Sequence, residues 1–476
     1  MSDRKRNNRL SRRDFLKGVG AIMGATGVAS ITRVNPVGAK PDRTNTNGLT
    51  THKRKYKYPW WVKTVDKITT EVNPDIATKP PMVTFATYAQ AMIPDEEWDI
   101  NNSKAKEYVK EGIINNIPGR TLPDLALHYA LHSDMTLGSM GSFDSPRTVK
   151  IKNHEELVTY NLHPPRDFDL DPWQASPEEA SRVLEAAGIQ FGASMVGFTK
   201  LNPDWIYPYV KFEPGITEPV MDIKNMSFRI PESYKYVVLL ITQGPRDLLI
   251  RNQSELGAAG DRATYSRMFN AGVQMARFIK GLDYGYAELL AAGPIIPFAL
   301  EAGLGELGRM NRLINPIFGG NIRITGFLTD LPLAPDKPID FGLQEFCKTC
   351  KICASECPAG ALSMADEPYW IPANAFQASG KKVYFEDNLK CAKYITERGN
   401  YCSTCLSVCP WSKQDKAALH EIAKVTSVIV PSSGNFLSDM DQAFGYGLIR
   451  EDDPEMEDWW DLDIPEEGID SYQGKA

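Results

Sequence analysis

The 476-residue sequence lacks the patterns that mark several common classes of protein. Its balance of 24% charged and 42% hydrophobic residues excludes a membrane bundle and a disordered tail. Its net charge of −7 argues against a nucleic-acid partner, because phosphate binding needs a basic surface. No Gly-x-Gly-x-x-Gly run opens a helix and no Walker-type loop is present, so the usual nucleotide-binding fingerprints are missing.

Histidine and cysteine are also scarce. Of six histidines, His128 and His132 come nearest to a metal-spaced pair, but they lack the glutamate of a zinc protease and are interpreted as structural. No Asp-x-His-x-x-Gly segment occurs, so nothing indicates a cobalamin with a histidine ligand. Eight cysteines are too few for a disulfide scaffold in a chain of this length.

All eight cysteines lie between Cys347 and Cys409, so they build one local feature. The first four are spaced C-x2-C-x2-C-x3-C and are followed by Pro358, which is the run of bacterial iron–sulfur ferredoxins. The last four are spaced C-x10-C-x2-C-x3-C and are followed by Pro410. The two runs together predict a pair of [4Fe–4S] clusters.

In the ferredoxin pattern, the fourth cysteine of each run binds the other cluster. The first cluster is therefore assigned to Cys347, Cys350, Cys353 and Cys409. The second cluster is assigned to Cys357, Cys391, Cys402 and Cys405. Structural zinc is the main alternative, although zinc sites usually show two C-x2-C pairs. Disulfides fit less well, because the dense spacing leaves most neighbouring cysteines poorly placed to pair.

The rest of the sequence predicts an α/β (α+β) fold. Ser176 and Pro177 begin a helix that ends near residue 188, and residues 189–198 follow as a strand. Residues 236–241 are continuously apolar, which is typical of a strand buried on both faces. Residues 264–282 have helical periodicity, and residues 425–430 are a further strand candidate, so we expect the chain to return to the first domain there.

The N-terminus has the features of an export signal. Arg12 and Arg13 are followed by Phe-Leu-Lys, then by the moderately apolar residues 18–31 and the small residues 37–39. The apolar part has 14 residues, whereas a membrane-spanning helix needs roughly 20. The paired arginines resemble a twin-arginine signal, which carries folded proteins with their cofactors. A plain basic arm is the alternative.

Three stretches together resemble the corrinoid-dependent reductive dehalogenases. They are the twin-arginine pattern, the paired cysteine runs, and the segment AGLGELGR at 302–309 with NIRI at 321–324 and TDLPL at 329–333. The resemblance runs from about residue 180 to 415, plus the signal. It implies a nitroreductase-like domain that binds a base-off corrinoid, joined to a ferredoxin-like domain with two [4Fe–4S] clusters.

The activity implied is replacement of the carbon–halogen bond of a small organohalide by carbon–hydrogen. Tyr265 matches the family's catalytic tyrosine and Arg323 its basic partner; a guanidinium that favours the phenolate makes the phenol a better acid. A core aromatic residue and a surface ion pair are the alternatives. Gly303, Gly305 and Gly308 are expected to let the backbone approach the corrinoid, or to form a plain glycine loop.

The resemblance also divides the chain. The predicted units are a signal at 1–39, an N-terminal unit at 40–160, a corrinoid-binding domain at 161–335 completed by 415–450, a ferredoxin-like domain at 336–414, and an acidic tail at 451–476. Residues 451–476 carry eleven acids and one lysine, too much charge to form a core alone. Trp205, Tyr207 and Tyr209 are candidates for an apolar substrate pocket or for ordinary core positions.

An enzyme of this family is expected on the outer face of the cytoplasmic membrane, as a peripheral terminal reductase of organohalide respiration. It would dock on a small membrane-anchor protein and take electrons from an upstream donor. Two alternatives remain open at this point. One is an enzyme like epoxyqueuosine reductase, which acts on tRNA, and the other is a non-catalytic iron–sulfur electron-transfer subunit.

Overall fold

The computed structural model describes most of the chain after residue 57. The described residues are 58–77, 93–121, 147–151, 154–158, 165–168, 171–222, 227–374, 377–399, 401–413, 418–434, 436–437, 447–450 and 453–462. The predicted signal at 1–39 and the histidines His128 and His132 lie outside the described residues.

The described residues form short strands and helices of very different lengths. The strands are β1 (Lys63–Thr64), β2 (Arg147–Ile151), β3 (His154–Val158), β4 (Met195–Lys200), β5 (Val210–Glu213), β6 (Val220–Asp222), β7 (Ser227–Pro231), β8 (Tyr236–Gln243), β9 (Tyr286–Glu288), β10 (Glu306–Leu307), β11 (Leu313–Ile314), β12 (Ile322–Thr329) and β13 (Ile339–Asp340). The α-helices are α1 (Asp95–Ile114), α2 (Pro177–Gln190), α3 (Arg246–Leu249), α4 (Glu255–Gly281), α5 (Leu289–Ala292), α6 (Ile295–Glu301), α7 (Leu343–Thr349), α8 (Ile352–Ser355), α9 (Asn388–Arg398), α10 (Thr404–Ser407) and α11 (Ala418–Ile429).

A four-stranded antiparallel sheet in the order β4-β8-β12-β9 organises the larger part of the structure. β8 lies between two neighbours and is almost wholly buried, as its apolar sequence predicts. Its side chains alternate between two cores, as a strand requires. Val238 and Leu240 pack with α4, whereas Leu239 and Ile241 pack with the core around Phe298 of α6. The predicted mixed fold is confirmed.

α4 is longer than its sequence periodicity indicates. The helix begins after Ser254, whose hydroxyl accepts a hydrogen bond from the Gly257 N–H, and it ends at Gly281. Its first turns, from Glu255 to Asp261, are buried on every side. Because no face of these turns is exposed to water, they lack the amphipathic pattern that marks the later part of the helix.

Two predicted strand positions are corrected by the structure. The strand expected at 189–198 begins only at Met195, because α2 continues to Gln190. The strand expected at 425–430 is wrong, since these residues belong to or follow α11. Val425 and Val428 of α11 pack against the core of the cysteine-bearing segment. In the described part of the chain, the four-stranded sheet therefore gains no strand after β12.

The cysteine-bearing segment is built from short helices around an aromatic cluster. The ring of Trp411 lies 4.8 Å from that of Phe341, 5.8 Å from that of Trp61 and 5.9 Å from that of Phe346, measured between centroids. All four rings are buried. They provide a rigid apolar floor beside the first cysteine run, because aromatic side chains bury large areas in few conformations.

The described part of the acidic C-terminal region packs on the surface of α3 and α4. Met456 is fully buried with Leu248 and Leu256. The guanidinium of Arg251 donates hydrogen bonds to the carbonyl oxygens of Met456 at 2.9 Å and Glu455 at 3.0 Å. Trp459 packs against the same apolar cluster, and the Glu457 carboxylate accepts a hydrogen bond from the Gly119 N–H. The segment is thus held by two apolar side chains, by backbone contacts and by this carboxylate.

Glu306 in β10 connects the glycine-rich loop to the helix that begins the cysteine-bearing segment. Its carboxylate accepts hydrogen bonds from the Phe341 N–H at 2.7 Å, the Leu343 N–H at 3.2 Å and the Thr69 hydroxyl at 2.6 Å. Burial raises the pKa of Glu306 to about 7. The folded chain therefore binds a proton here at pH values where the unfolded chain has released it.

We expect Glu306→Gln to remove a pH dependence of stability. Because the folded-state pKa is raised from 4.5 to about 7, the wild-type contribution is lost as pH rises through 7, by about 1 kcal/mol between pH 6 and pH 8. Anaerobic urea unfolding at both pH values measures the change. Glu288, whose pKa burial also raises to about 7, is present in both proteins, so their difference reports Glu306. Equal slopes would contradict the prediction.

Candidate redox centre

The structure brings the eight cysteines together in two groups, and all eight are free thiols. The Cys353 thiol lies within electrostatic reach of Cys347, Cys350 and Cys409, with Cys405 a weaker neighbour. Cys353 and its three stronger neighbours are the four residues assigned to the first cluster. This placement supports the exchange of fourth ligands between the two cysteine runs.

The second group gathers around Cys405. Cys402 and Cys357 both lie within electrostatic reach of its thiol, and the Cys391 thiol responds in turn to Cys405 and Cys402. Cys391 is supplied by α9, whereas Cys402 and Cys405 lie at the start of α10. The ten residues between Cys391 and Cys402 therefore complete α9 and bring the chain back to the second cysteine group. The ligand sets remain a prediction that this grouping supports.

The chemistry of the thiols fits resident iron–sulfur clusters. Burial raises the pKa of Cys347 and Cys409 to about 12, and it raises the pKa of Cys353 and Cys405 well above the ordinary thiol value. Thiols in such surroundings keep their protons unless a cation replaces them. Iron supplies that positive charge, since a metal binds cysteine as the thiolate.

Asn252 attaches the second cysteine group to the larger domain. Its side-chain oxygen accepts a hydrogen bond from the Ser403 N–H at 3.0 Å, and its amide donates to the Thr404 hydroxyl at 2.5 Å. The same amide lies 3.9 Å from the Cys402 sulfur. Asn252 precedes α4 and is buried, so it joins the cysteine loop to the helix that carries Tyr265. A lone asparagine before a helix has no sequence signal that reveals this role.

Tyr265 and Arg323, which the sequence places 58 positions apart, are neighbours in the structure. Tyr265 is half-buried on α4, and the Arg323 guanidinium carbon from β12 lies 4.8 Å from the centre of its ring. Arg323 also forms an ion pair with the buried Asp261, one helical turn before Tyr265. The carboxylate thus anchors the guanidinium against the face of the tyrosine ring.

This pair adjoins the second cysteine group. The ring of Tyr401, directly before Cys402, lies 6.3 Å from the ring of Tyr265. Burial lowers the pKa of Arg323 to about 10, while the neighbouring Tyr401 and Cys405 oppose that shift. Arg323 therefore stays charged at neutral pH, and its positive charge favours any anion that forms beside it, including a phenolate at Tyr265.

Buried polar groups without partners surround the start of β12. Both polar atoms of the Asn321 amide and the hydroxyl of Thr242 have no hydrogen-bond partner among the described residues. Thr242 is the cross-strand partner of Arg323. Buried polar atoms are nearly always satisfied, so these groups indicate the place of a ligand. A corrinoid, whose ring is fringed with amides, has the donors and acceptors that they need.

A cavity of about 190 Å³ opens between the segment around Trp205 and the segment that carries Arg312. Trp205 and Tyr207 are among its lining residues, while Tyr209 stacks on Tyr207 and donates its hydroxyl to the Ala291 carbonyl at 2.8 Å. At its polar end Arg312 forms a bidentate pair with Glu386, at 2.5 and 3.1 Å. Arg312 lies within electrostatic reach of Cys405 and Cys391, so the cavity reaches the second cysteine group.

The glycine loop packs closely against other parts of this chain, as the plain-loop alternative predicts. A Cβ atom at Gly303 would lie 2.0 Å from the Lys337 carbonyl oxygen, and one at Gly305 would lie 2.3 Å from the Ile314 carbonyl oxygen. At Gly308 it would lie 2.9 Å from the Ile314 side chain. Gly305 and Gly308 therefore permit the tight pairing of β10 with β11, and Gly303 permits the approach of the Lys337 backbone. Contact of this loop with the corrinoid stays a prediction.

Comparisons with known proteins agree with this geometry. The family described as "Reductive dehalogenase subunit" matches residues 57–212, and the "4Fe-4S double cluster binding domain" matches residues 346–412. The tetrachloroethene reductive dehalogenase of Sulfurospirillum multivorans is 31% identical over 70% of this chain and 69% of its own length. The chain belongs to the reductive dehalogenase family. The predicted family and the predicted double-cluster domain are both confirmed.

Other relatives extend the similarity. The chloroethene reductive dehalogenase of Dehalococcoides mccartyi (strain VS) is 26% identical over 97% of this chain and 98% of its own length. The solved catabolic reductive dehalogenase NpRdhA has the same fold, with a TM-score of 0.57, 23% identity, and coverage of 86% of this chain and 52% of that one. The epoxyqueuosine reductase of Salmonella typhimurium is 29% identical over only 33% of this chain and 40% of its own length.

The grouping of the thiols makes a specific prediction for cysteine variants. Because Cys409 faces the first run, Cys409→Ala and Cys353→Ala should abolish the same reduced-cluster signal in electron paramagnetic resonance. Cys357→Ala should abolish the other signal, although it belongs to the first run. Each variant should retain about half of the wild-type iron. If Cys353→Ala and Cys357→Ala remove the same signal, the exchange of fourth ligands is wrong.

Proposed function

We propose that this chain is a reductive dehalogenase that converts the carbon–halogen bond of a small organohalide to carbon–hydrogen. The overall change consumes two electrons and one proton and releases one halide ion. The observation that carries the proposal is the stacked pair of Tyr265 and Arg323 beside Tyr401 and the second cysteine group. A proton-bearing side chain thereby lies next to a low-potential electron source, which is the combination that this reaction needs.

A corrinoid completes the proposed site. Asn321 and Thr242, whose polar side-chain atoms are buried without a partner among the described residues, would bind its amide fringe. The bound corrinoid supplies strongly reducing cobalt chemistry, which no protein side chain offers. A solved reductive dehalogenase for which B12-dependent dehalogenation is described shares the fold of this chain, with a TM-score of 0.55.

Tyr265 is the proposed proton donor. Its hydroxyl gives a proton to the carbon that loses halide, and the charge of Arg323 stabilises the phenolate that remains. Asp261 positions Arg323 through their buried ion pair. Because the guanidinium stacks on the ring, it both holds the phenol of Tyr265 in place and stabilises its phenolate.

Electrons are proposed to pass from the first cluster to the second and then to the substrate site. Cys353 of the first group lies within electrostatic reach of Cys405 of the second group. Cys405 in turn affects the pKa of both Arg312 at the cavity and Arg323 beside Tyr265. The second group is therefore the one that adjoins the substrate site, and the first group is the one that receives electrons.

Location and partners are further parts of the proposal. The Arg12-Arg13 pattern supports export by the twin-arginine route, to the outer face of the cytoplasmic membrane. There the enzyme would act as a terminal reductase of organohalide respiration, docked on a small membrane-anchor protein and supplied by an upstream electron donor. Among the described residues, no helix is long and apolar enough to cross a bilayer.

An anaerobic activity screen tests the proposed reaction. The full chain, with clusters and corrinoid, is given reduced viologen and a panel of chlorinated and brominated alkenes, alkanes and aromatics. The named relatives act on chlorinated ethenes, so these are the first substrates to try. We expect one halide released for every two viologens oxidised. Viologen oxidation without halide release from any compound would contradict the proposed function.

Tyr265→Phe should keep both clusters and the corrinoid but lower turnover by about 10²-fold or more, because a positioned general acid contributes that much. The matched control is Tyr209→Phe, which removes a hydroxyl that donates to the Ala291 carbonyl and should leave turnover within about twofold. Initial rates of halide release measure both. Near-normal turnover in Tyr265→Phe would remove this residue from the mechanism.

A further inference from the structure

Arg309 is buried at the base of the first cysteine group, directly after the glycine loop, and its side chain is 1% exposed. Its Nε donates to the carbonyl oxygens of Cys347 at 3.0 Å and Cys350 at 3.2 Å, and one terminal nitrogen donates to that of Cys347 at 2.6 Å. The other terminal nitrogen donates to the carbonyl oxygens of Ser363 and Ala365, both at 2.8 Å. The guanidinium thus joins the backbone of the first cysteine run to the backbone of residues 363–365.

The buried guanidinium of Arg309 forms no salt bridge with any described residue, and the ring of Tyr384 covers it at 4.0 Å. The carboxylate of Asp366 lies within electrostatic reach, but it is exposed to water and pairs with Lys351. A buried cation without a close counter-charge is costly. The first cluster is an anion that Arg309 adjoins, since the Arg309 backbone N–H lies 3.4 Å from the Cys347 sulfur.

Two cations within electrostatic reach of the Cys405 thiol each have a carboxylate partner. Arg312 pairs with Glu386, and Arg323 pairs with Asp261, and both carboxylates are buried. Each of these pairs contributes little net charge at the second cluster. The two cluster sites therefore differ in electrostatics although their cysteine runs are similar.

From this asymmetry we propose that Arg309 raises the reduction potential of the first cluster above that of the second. A cluster with four thiolates is an anion, and one-electron reduction adds a further negative charge. A buried, unbalanced guanidinium beside it stabilises the reduced form more than the oxidised form. The first cluster then holds the entering electron until the substrate site draws it through the second cluster. The inference rests on the two-cluster part of the proposed function and is independent of the organohalide.

A redox titration of the anaerobic full chain, with dithionite as reductant and electron paramagnetic resonance as readout, tests this proposal. The Cys353→Ala variant assigns the two resonance signals, because it should remove the signal of the first cluster. In Arg309→Gln we expect the ratio of reduced to oxidised first cluster to fall about tenfold at fixed potential, which is a midpoint about 59 mV lower. The second cluster should keep its midpoint. Arg309→Lys, which retains the charge, should stay nearer to the wild type.

The matched control is Lys351→Gln, because Lys351 lies in the same cysteine run but is partly exposed and paired with Asp366. It should leave both midpoints unchanged. An unchanged first midpoint in Arg309→Gln, with both clusters assembled, would overturn the proposal. If iron analysis shows that Arg309→Gln has lost the first cluster, the test is the order of the two cluster midpoint potentials in the wild-type protein. A first cluster with a midpoint above that of the second supports the proposal, and one at or below it overturns it.

Discussion

The gathering of eight thiols, four of them buried and four half-buried, in two adjoining groups is the constraint on which the rest of the structure depends. Burial raises the pKa of six of these thiols, so the segment needs metal cations to balance the thiolates. The surrounding structure is arranged for that purpose. Aromatic rings around Trp411 exclude water from the first group, and Asn252 fixes the second group to the larger domain.

The second constraint is the place where the sheet meets the second cysteine group. Antiparallel pairing of β8 with β12 sets Thr242 opposite Arg323, and α4 packs across the same strands. Tyr265, Asp261 and Arg323 are thereby brought together from two elements. The proposed substrate site thus depends on sheet register and helix packing, and it adjoins the second cysteine group because Asn252 leads directly into α4.

The cysteine chemistry could be predicted from sequence because its signal is local. Fixed spacing within two short runs predicts which thiols share a cluster, and the placement of the thiols in the structure supports that prediction. The pairing of Tyr265 with Arg323 required a family resemblance, because it depends on tertiary packing. The sequence did not reveal the roles of Arg309, Asn252 and the Arg312–Glu386 pair. The identity of a polar residue does not show whether it is buried or exposed. The strand expected at 425–430 failed because a short apolar run fits a buried helix equally well.

The central claim is that two iron–sulfur clusters serve a cobalt centre within one chain. Metal analysis of protein prepared without oxygen, with its corrinoid extracted and identified by absorption, tests it most directly. The account predicts about eight irons and about one cobalt per chain. About eight irons with no cobalt, even after loading with corrinoid, would contradict it and would leave an electron-transfer protein without a catalytic metal.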